Sequence, residues 1–518
     1  MTRGLPLRLV SGLGLLLLAA LLVGPVISVA LASLMRAEAP LSMPPALWLH
    51  SAVIAAVAVT VAVAVGMTIA LWAAHVRTPS LRALITLAGA FPLVIPMYVH
   101  GMAMWQVSVR LGLYRELADE GPWSDLLVVG FVQGLRLSAF VHLITLAGWH
   151  SLHARWLEAG LLVGPRGFVR RRLLGPLLAP FVALAALLVA VISVTDVSIP
   201  LLFQVRSVIA MRLWWAHYAG LDPIGAWGAM VAPSLLVLAA VALITPPLWR
   251  RAAPLLSARR DPAEIPRGEG GQWLFALGGV IAVVLANGAL IHLFVQITSL
   301  SLLAETFRAN TGLISATVTT ALGAAAVAMF AGGALALFLG DRGWRTVPPL
   351  LIALVFFTVP GFLWAVAAVS WWSAPGLRGD LYETGTVRWL VLGGRLLVIP
   401  AVILALAHAR QSRTQREAAL GLGWWHRWWG VVWPPLRRAA WVAYALVALM
   451  VIGDLDAAIL MDLPGHTTLV VGLCNRLHIS PRSPEVAMMA AVILATSLAM
   501  LALPAIVSGG WRRWREIR

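Results

Sequence analysis

The chain has 518 residues, 61% of them hydrophobic and only 11% charged, with a mean hydropathy of +0.90 and a formal net charge of +17. A soluble protein cannot cover its surface with so few charged side chains, so this composition excludes a soluble class and predicts a multi-pass membrane protein. All 38 basic residues are arginine, and their placement in the loops explains the net charge without nucleic-acid binding.

Twelve apolar segments are long enough to cross a bilayer, which takes about 20 residues. Backbone groups in lipid must be hydrogen-bonded internally, and the alternating pattern of strands is absent, so we predict an all-α membrane protein with about 12 transmembrane helices. In chain order the segments lie near 7–34, 50–74, 84–108, 126–148, 177–203, 228–249, 273–297, 312–339, 346–372, 387–408, 438–461 and 485–508.

The first segment follows Arg3 and Arg8, as the apolar core of a secretory signal would. Its apolar run is longer than such a core, so we expect a retained helix.

The arginines predict the orientation of the helices. With both termini in the cytosol and the loops alternating, 26 arginines lie inside, nine lie outside, and Arg136, Arg388 and Arg395 lie within or at the ends of helices. Cytosolic loops carry the excess of positive charge. We therefore predict that both termini are cytosolic.

A polar stretch rich in Pro, Gly, Arg and Glu separates the sixth and seventh segments, and we interpret it as a cytosolic linker over 256–271. It divides the chain into halves of six helices, 1–255 and 272–518. An even number of helices gives both halves the same orientation, as in parallel repeats related by an axis along the membrane normal.

Each half repeats one arginine-rich cytosolic loop, and the two copies are 259 residues apart at every matched position. The matched residues are Leu157, Glu158, Ala159, Gly160, Gly164 and Pro176 in the first copy, and Arg416, Glu417, Ala418, Ala419, Gly423 and Pro435 in the second. Gly and Pro end helices, so each loop is predicted to form a helix, a break and a second helix.

These residues resemble the cytosolic Glu-Ala-Ala (EAA) loop of the permeases of ATP-binding cassette (ABC) importers. Glu417, Ala418, Ala419 and Gly423 fit that pattern well, whereas the first copy has Gly160 in the third position. In both copies the proline comes one residue earlier than in the usual pattern. The two fused halves look like the ferric-iron and thiamine permeases.

The resemblance implies that the loops form coupling helices that dock on two ABC ATPase subunits, in the bacterial inner membrane. The coupling residues carried over are Glu158, Ala159, Gly164, Glu417, Ala418, Ala419 and Gly423. A carboxylate at the start of a helix is stabilised there and can accept from a partner's arginine. The resemblance also implies an extracytoplasmic solute-binding protein, which selects the solute, and no cofactor.

Three carboxylates, Asp196, Asp454 and Asp456, fall near the outer ends of the fifth and eleventh segments. Intramembrane carboxylates usually face a cavity or a partner, which favours a pathway or gate. The alternative is that they cap or kink a helix where it meets the outer solvent.

Prolines interrupt the third and ninth segments at similar places, at Pro92 and Pro96 and at Pro360. Broken helices at matched positions often line a pathway, although packing kinks explain them equally well. Five tryptophans follow the second loop, either as part of a partner interface or as an interfacial aromatic belt. They are Trp424, Trp425, Trp428, Trp429 and Trp433.

The sequence contains no phosphate-binding Gly-Lys-Ser/Thr loop, no Gly-x-Ser-x-Gly elbow and no zinc-protease histidine pair. We therefore expect no enzymatic activity and no metal site in this chain, with ATP hydrolysis in a separate subunit. The alternatives are a secondary transporter that works without an ATPase and a membrane-bound transferase. Cys474 is the one cysteine and is expected to be a packed small residue.

Overall fold

The computed structural model describes most of the chain. The described residues are 44–112, 122–152, 160–165, 169–218, 272–297, 299–339, 359–373, 376–409, 421–479 and 484–516, with a few isolated positions besides. Within these ranges the secondary structure is helical and contains no strand, as the composition predicts.

Eight helices are described before residue 297. They are α1 (Pro45–His75), α2 (Pro79–Val94), α3 (Met97–Arg110), α4 (Pro122–His150), α5 (Gly175–Thr195), α6 (Ser198–Leu202), α7 (Ile209–Tyr218) and α8 (Gln272–Val295). Proline occupies the first or second position of α1, α2 and α5, where its missing N–H costs no helical hydrogen bond.

Ten more helices are described after residue 297. They are α9 (Leu300–Ala309), α10 (Thr311–Leu339), α11 (Gly361–Trp372), α12 (Leu377–Glu383), α13 (Thr386–Arg395), α14 (Val398–Ala409), α15 (Trp433–Ile452), α16 (Asp456–Leu460), α17 (Leu469–Ile479) and α18 (Pro484–Glu516).

The chain divides into two compact units. The first contains residues 43–212 and 239–296, and the second contains 1–42, 213–238 and 297–518. In the first unit, α1 packs along α4 and against α5, and α8 packs on α1 and α3. In the second unit, α10 packs against α13, α14 and α15. These units group residues by contact, whereas the predicted halves 1–255 and 272–518 group them by sequence repeat.

Seven described helices are long and apolar enough to cross a membrane, and the number is nine if each of two bent pairs is one span. The predicted segments near 7–34 and 228–249 lie almost entirely outside the described residues, as does the first part of 346–372. The chain is therefore a multi-pass helical protein by its described part, and the total of twelve spans stays a prediction.

The third predicted segment is not one straight helix. It consists of α2 and α3, which are bent by 96° at Ile95 and Pro96. Proline supplies no N–H and its ring clashes with the preceding turn, so the helix cannot continue through it. The tenth predicted segment is also two helices, α13 and α14, which are bent by 54°.

The fifth and eleventh predicted segments end earlier than expected. α5 ends at Thr195 and the short α6 follows it, while α15 ends at Ile452 and is followed by α16. Hydropathy continues through these breaks, so the sequence predicted single segments over 177–203 and 438–461.

The exposed surface of α8 is apolar, as a lipid-facing surface should be. Its exposed side chains are Trp273, Leu274, Leu277, Val280, Ile281, Val284, Leu285, Ile291 and Val295. The opposite face is buried and holds small residues, including Ala282, Ala286 and Ala289. A continuous apolar surface of this size is unstable in water and is covered by lipid tails in a membrane protein.

The same helix crossing occurs once in each unit. In the first unit Gly66 of α1 lies so close to α4 that a methyl group there would overlap the carbonyl oxygen of Ser138. In the second unit Gly332 of α10 meets the carbonyl oxygen of Leu397 in the same way. The residue numbers differ by 266 between the glycines and by 259 between the carbonyls. The two units therefore contain equivalent helix pairs.

A side-chain hydrogen bond is repeated with the same offsets. The Ile209 N–H, at the start of α7, donates to the Ser51 hydroxyl of α1 at 3.0 Å. In the second unit the Leu469 N–H, at the start of α17, donates to the Thr317 hydroxyl of α10 at 2.8 Å. These residues are 260 and 266 apart, so the repeat extends over the long helix and the short helix that follows the break.

Candidate functional site

The predicted coupling loops lie mostly outside the described residues. This applies to Glu158, Ala159, Glu417, Ala418 and Ala419. Gly164 is described and partly buried, and its N–H donates to the Gly160 carbonyl at 3.1 Å. Gly423 is exposed, and its carbonyl accepts from the Arg427 N–H at 2.9 Å. Gly423 thus precedes a helical turn, as the predicted helix break requires.

Each loop leads into its next long helix through a π-helical segment. The segments are Val169–Leu174 before α5 and Trp428–Val432 before α15. The wider turns of a π-helix are rare and are frequently found at functional sites. The shared segment places the two loops at equivalent positions in the two repeats.

The tryptophans after the second loop form a ladder along one side of this segment. Trp425 and Trp429 are in edge contact with ring centroids 5.5 Å apart, and Trp429 and Trp433 are 6.0 Å apart. Trp428 stacks on Trp433 at 6.4 Å. Trp425 and Trp429 are also exposed. The ladder is compatible with both expected roles, a partner interface and an interfacial belt.

The Asp196 carboxylate caps the break between α5 and α6. It accepts hydrogen bonds from the backbone N–H groups of Ser198 and Ile199, both at 3.1 Å, and from the Gln133 side-chain amide at 2.9 Å. Asp196 is buried. It is therefore a cap, as one of the two interpretations expected, but it caps inside the protein and not at the outer solvent.

Asp454 occupies the equivalent place between α15 and α16. Its carboxylate accepts from the Ala457 N–H at 3.0 Å and from the Arg395 guanidinium at 2.5 Å. Asp456 begins α16 and is buried. A pathway or gate role for these three carboxylates stays a prediction.

Two arginines near these carboxylates were not among the expected site residues. Arg136 of α4 donates through Nε and a terminal nitrogen to the Ile95 carbonyl, at 3.3 and 3.2 Å, and its charge acts on Asp196. Arg395 of α13 lies so close to the backbone of Gly361 that a methyl group there would overlap its guanidinium.

Arg136 and Arg395 are 259 residues apart, which is the offset of the loops. In each repeat, therefore, one arginine lies between two chain breaks: the proline break before α3 or α11, and the aspartate-capped break after α5 or α15. The sequence signal was available, because each arginine stands in an apolar segment, where charged residues are rarely tolerated without a partner.

A third internal arginine belongs to the second unit alone. Arg388 is 2% exposed, and its guanidinium donates to the carbonyls of His466, at 2.6 Å, and Met461. Asp462 lies 3.8 Å from the same guanidinium. Burial raises the pKa of Asp462, and the hydrogen bond from Thr467 and the charge of Arg388 offset part of this rise. The position 259 residues earlier is Val129, so the first repeat cannot form this anchor.

Within the described part of the chain, no group of three or more His, Cys, Asp or Glu side chains is placed to hold a metal ion. Cys474 is buried in α17, as expected of a packed small residue.

Comparison with protein-family models, with curated proteins and with solved structures finds no match to this chain. Its function therefore has to be argued from its own residues and geometry.

Proposed function

We propose that this chain is the transmembrane permease subunit of an ABC importer. It forms the pathway for a small solute that an extracytoplasmic binding protein delivers, with ferric iron and thiamine as the candidate solutes. The observation that carries the proposal is the duplicated Glu-Ala loop, repeated with an offset of 259 residues.

The duplicated helix arrangement supports the proposal. Equivalent helix crossings at Gly66 and Gly332, and equivalent π-helical segments after the loops, are what two similar halves would need to present one loop twice. Two identical ATPase subunits could then each engage one loop. Closure of the ATPases on ATP would move the halves between inward-facing and outward-facing states.

In this proposal the protein lies in the bacterial inner membrane with both termini in the cytosol. The excess of arginine in the predicted inner loops favours this orientation. ATP is hydrolysed by the partner subunits, and the solute-binding protein docks on the outer face.

The test is to replace the loop glutamates one at a time. A charged hydrogen bond contributes roughly 1.5–3 kcal/mol, so Glu158→Ala and Glu417→Ala should each weaken ATPase docking about ten- to a hundred-fold. Glu417→Ala should have the larger effect, because the second loop has the fuller Glu-Ala-Ala match and the tryptophans. The measurements are co-purification with the ATPase and transport-coupled ATP turnover.

Glu383→Ala is the matched control, because Glu383 is exposed in α12 on the predicted outer side. This variant should keep wild-type docking. If both loop variants also keep wild-type complex formation and coupling, the loops are not the docking site and the proposal fails.

A secondary transporter is the second candidate, and the Arg395–Asp454 ion pair is the observation that favours it. Ionisable pairs within membrane segments are common in proton and ion relays. The chain alone, in proteoliposomes with an imposed proton or sodium gradient, distinguishes the two. Gradient-driven uptake without an ATPase supports the secondary transporter, and its absence supports the permease.

A further inference from the structure

The two arginine-bridged breaks use the same residues in different ways. In the second repeat Arg395 binds the capping aspartate Asp454 directly at 2.5 Å. In the first repeat Arg136 donates to the Ile95 carbonyl, and the amide of Gln133 takes the place beside Asp196. The first aspartate is thus held by neutral donors and the second by a cation.

Two sequence differences between the repeats account for this. The residue equivalent to Gln133, 259 positions later, is Leu392, which is buried and has no polar group to donate to Asp454. The residue that follows the proline is Met97 in the first repeat and Gly361 in the second. Only the glycine leaves room for the guanidinium to lie against the backbone there.

We propose that the first break is the moving gate of the protein and that the second is its fixed counterpart. This inference rests on the proposed function in one respect, namely that the motion serves transport. The moving element is the segment 196–203, which contains the cap and α6. The fixed element is the equivalent segment 454–461, which contains α16.

The difference in bonding sets this order. Hydrogen bonds between two ionised groups are about twice as strong as neutral ones. Arg136 also has two acceptors within reach, the Ile95 carbonyl and the Asp196 carboxylate, so it can change partner without leaving a charge unpaired in a low-dielectric interior. Arg395 has Asp454 as its ion-pair partner, and separating them would isolate both charges.

α6 is placed to transmit such a change. It packs against α3, where Ile199 lies so close to Gly101 that a methyl group at Gly101 would overlap it. α3 begins at the proline break that Arg136 holds through Ile95. A change of partner by Arg136 would therefore act on both ends of the α3–α6 contact.

Hydrogen–deuterium exchange on the full chain in lipid nanodiscs, without ATPase or solute, tests this inference. The amides of 196–203 should exchange about tenfold faster than those of 454–461, as expected when one segment lacks a direct charged bond. Gln133→Leu removes the competing amide and leaves Arg136 as the partner of Asp196, so it should slow exchange in 196–203.

Gly361→Ala should have the opposite effect on the second break, because the added methyl displaces Arg395 and speeds exchange in 454–461. Met97→Ala is its matched control in the first repeat and should leave both segments unchanged. If Gly361→Ala does not fold, Arg395→Lys, which keeps the charge but shortens the reach, provides the same comparison.

Equal exchange of the two segments overturns the inference, as does faster exchange in 454–461 or no exchange in either segment over a day. An unchanged 196–203 segment in Gln133→Leu also overturns it. These results do not bear on the coupling loops, because no ATPase is present. Conversely, loss of ATPase docking in Glu417→Ala does not alter the exchange expected here.

Discussion

The first and second repeats share a helix crossing but differ at their breaks. The crossing of α1 with α4 and that of α10 with α14 use the same close glycine–carbonyl contact. The breaks at Asp196 and Asp454 have the same cap, but only the second has a direct ion pair. The comparison teaches that packing positions constrain a duplicated membrane fold closely, while the polar positions within it are free to take different roles.

The largest expected effect comes from removing the capping aspartates. Asp454→Ala leaves the buried Arg395 without its ion-pair partner, which should destabilise the protein by about 3–5 kcal/mol. Asp196→Ala should cost about 1–3 kcal/mol, because Arg136 keeps its bonds to Ile95 while the amide of Gln133 loses its acceptor. Reversible unfolding in mixed micelles measures both.

The double variant Arg395→Leu with Asp454→Leu is the control for this prediction. Removing both charges should recover most of the loss, because no unpaired charge then remains in the interior. Equal losses for Asp196→Ala and Asp454→Ala would mean that the two breaks are energetically equivalent, against the comparison drawn here.

A smaller effect is expected from the glycines at the crossings, and here the repeats should behave alike. Gly66→Ala and Gly332→Ala each force a methyl group against a backbone carbonyl, so each should cost about 1–3 kcal/mol. Gly333→Ala is the control, because its nearest neighbour, a Leu404 methyl, would be in ordinary contact at 3.5 Å. It should be neutral or gain up to about 1 kcal/mol from helix propensity. Clearly unequal losses at Gly66 and Gly332 would contradict the equivalence of the crossings.

The smallest effect is expected from the repeated hydroxyl bonds. Ser51→Ala and Thr317→Val each remove the acceptor of one backbone N–H, with an expected loss of about 1 kcal/mol. Exchange at the amides of Ile209 and Leu469 should rise accordingly. In Thr319→Val the lost hydroxyl bonds only to its own exposed helix, at Ser315, so stability should not change. A loss in one repeat alone would limit the equivalence to the helix crossing.

The sequence predicted the helical class and the approximate position of each described long helix. It missed the ends of α5 and α15 because the apolar run continues past them, whereas the chain stops its helix where an aspartate competes for the backbone N–H groups. It missed the 96° bend at Pro96 for a related reason. The proline signalled an interruption, but the angle depends on what α2 and α3 pack against.

At the candidate site the sequence identified the aspartates and left the arginines in a count of charges. A single offset of 259 relates Arg136 to Arg395, but the partners of each arginine come from other helices. The first long helices of the repeats are related by 266, so an alignment at one offset does not bring Gly66 and Gly332 together.

By itself, the sequence determined what depends on composition and local order: a multi-pass helical protein, an arginine excess on one predicted side and a loop repeated after 259 residues. Hydropathy and charge act residue by residue, so they can be read along the chain. Only the tertiary structure decided which groups meet, namely that Arg395 binds Asp454 while Gln133 stands beside Asp196. Those contacts depend on helix packing and on the breaks that turn the backbone, and both are set by residues far apart in the sequence.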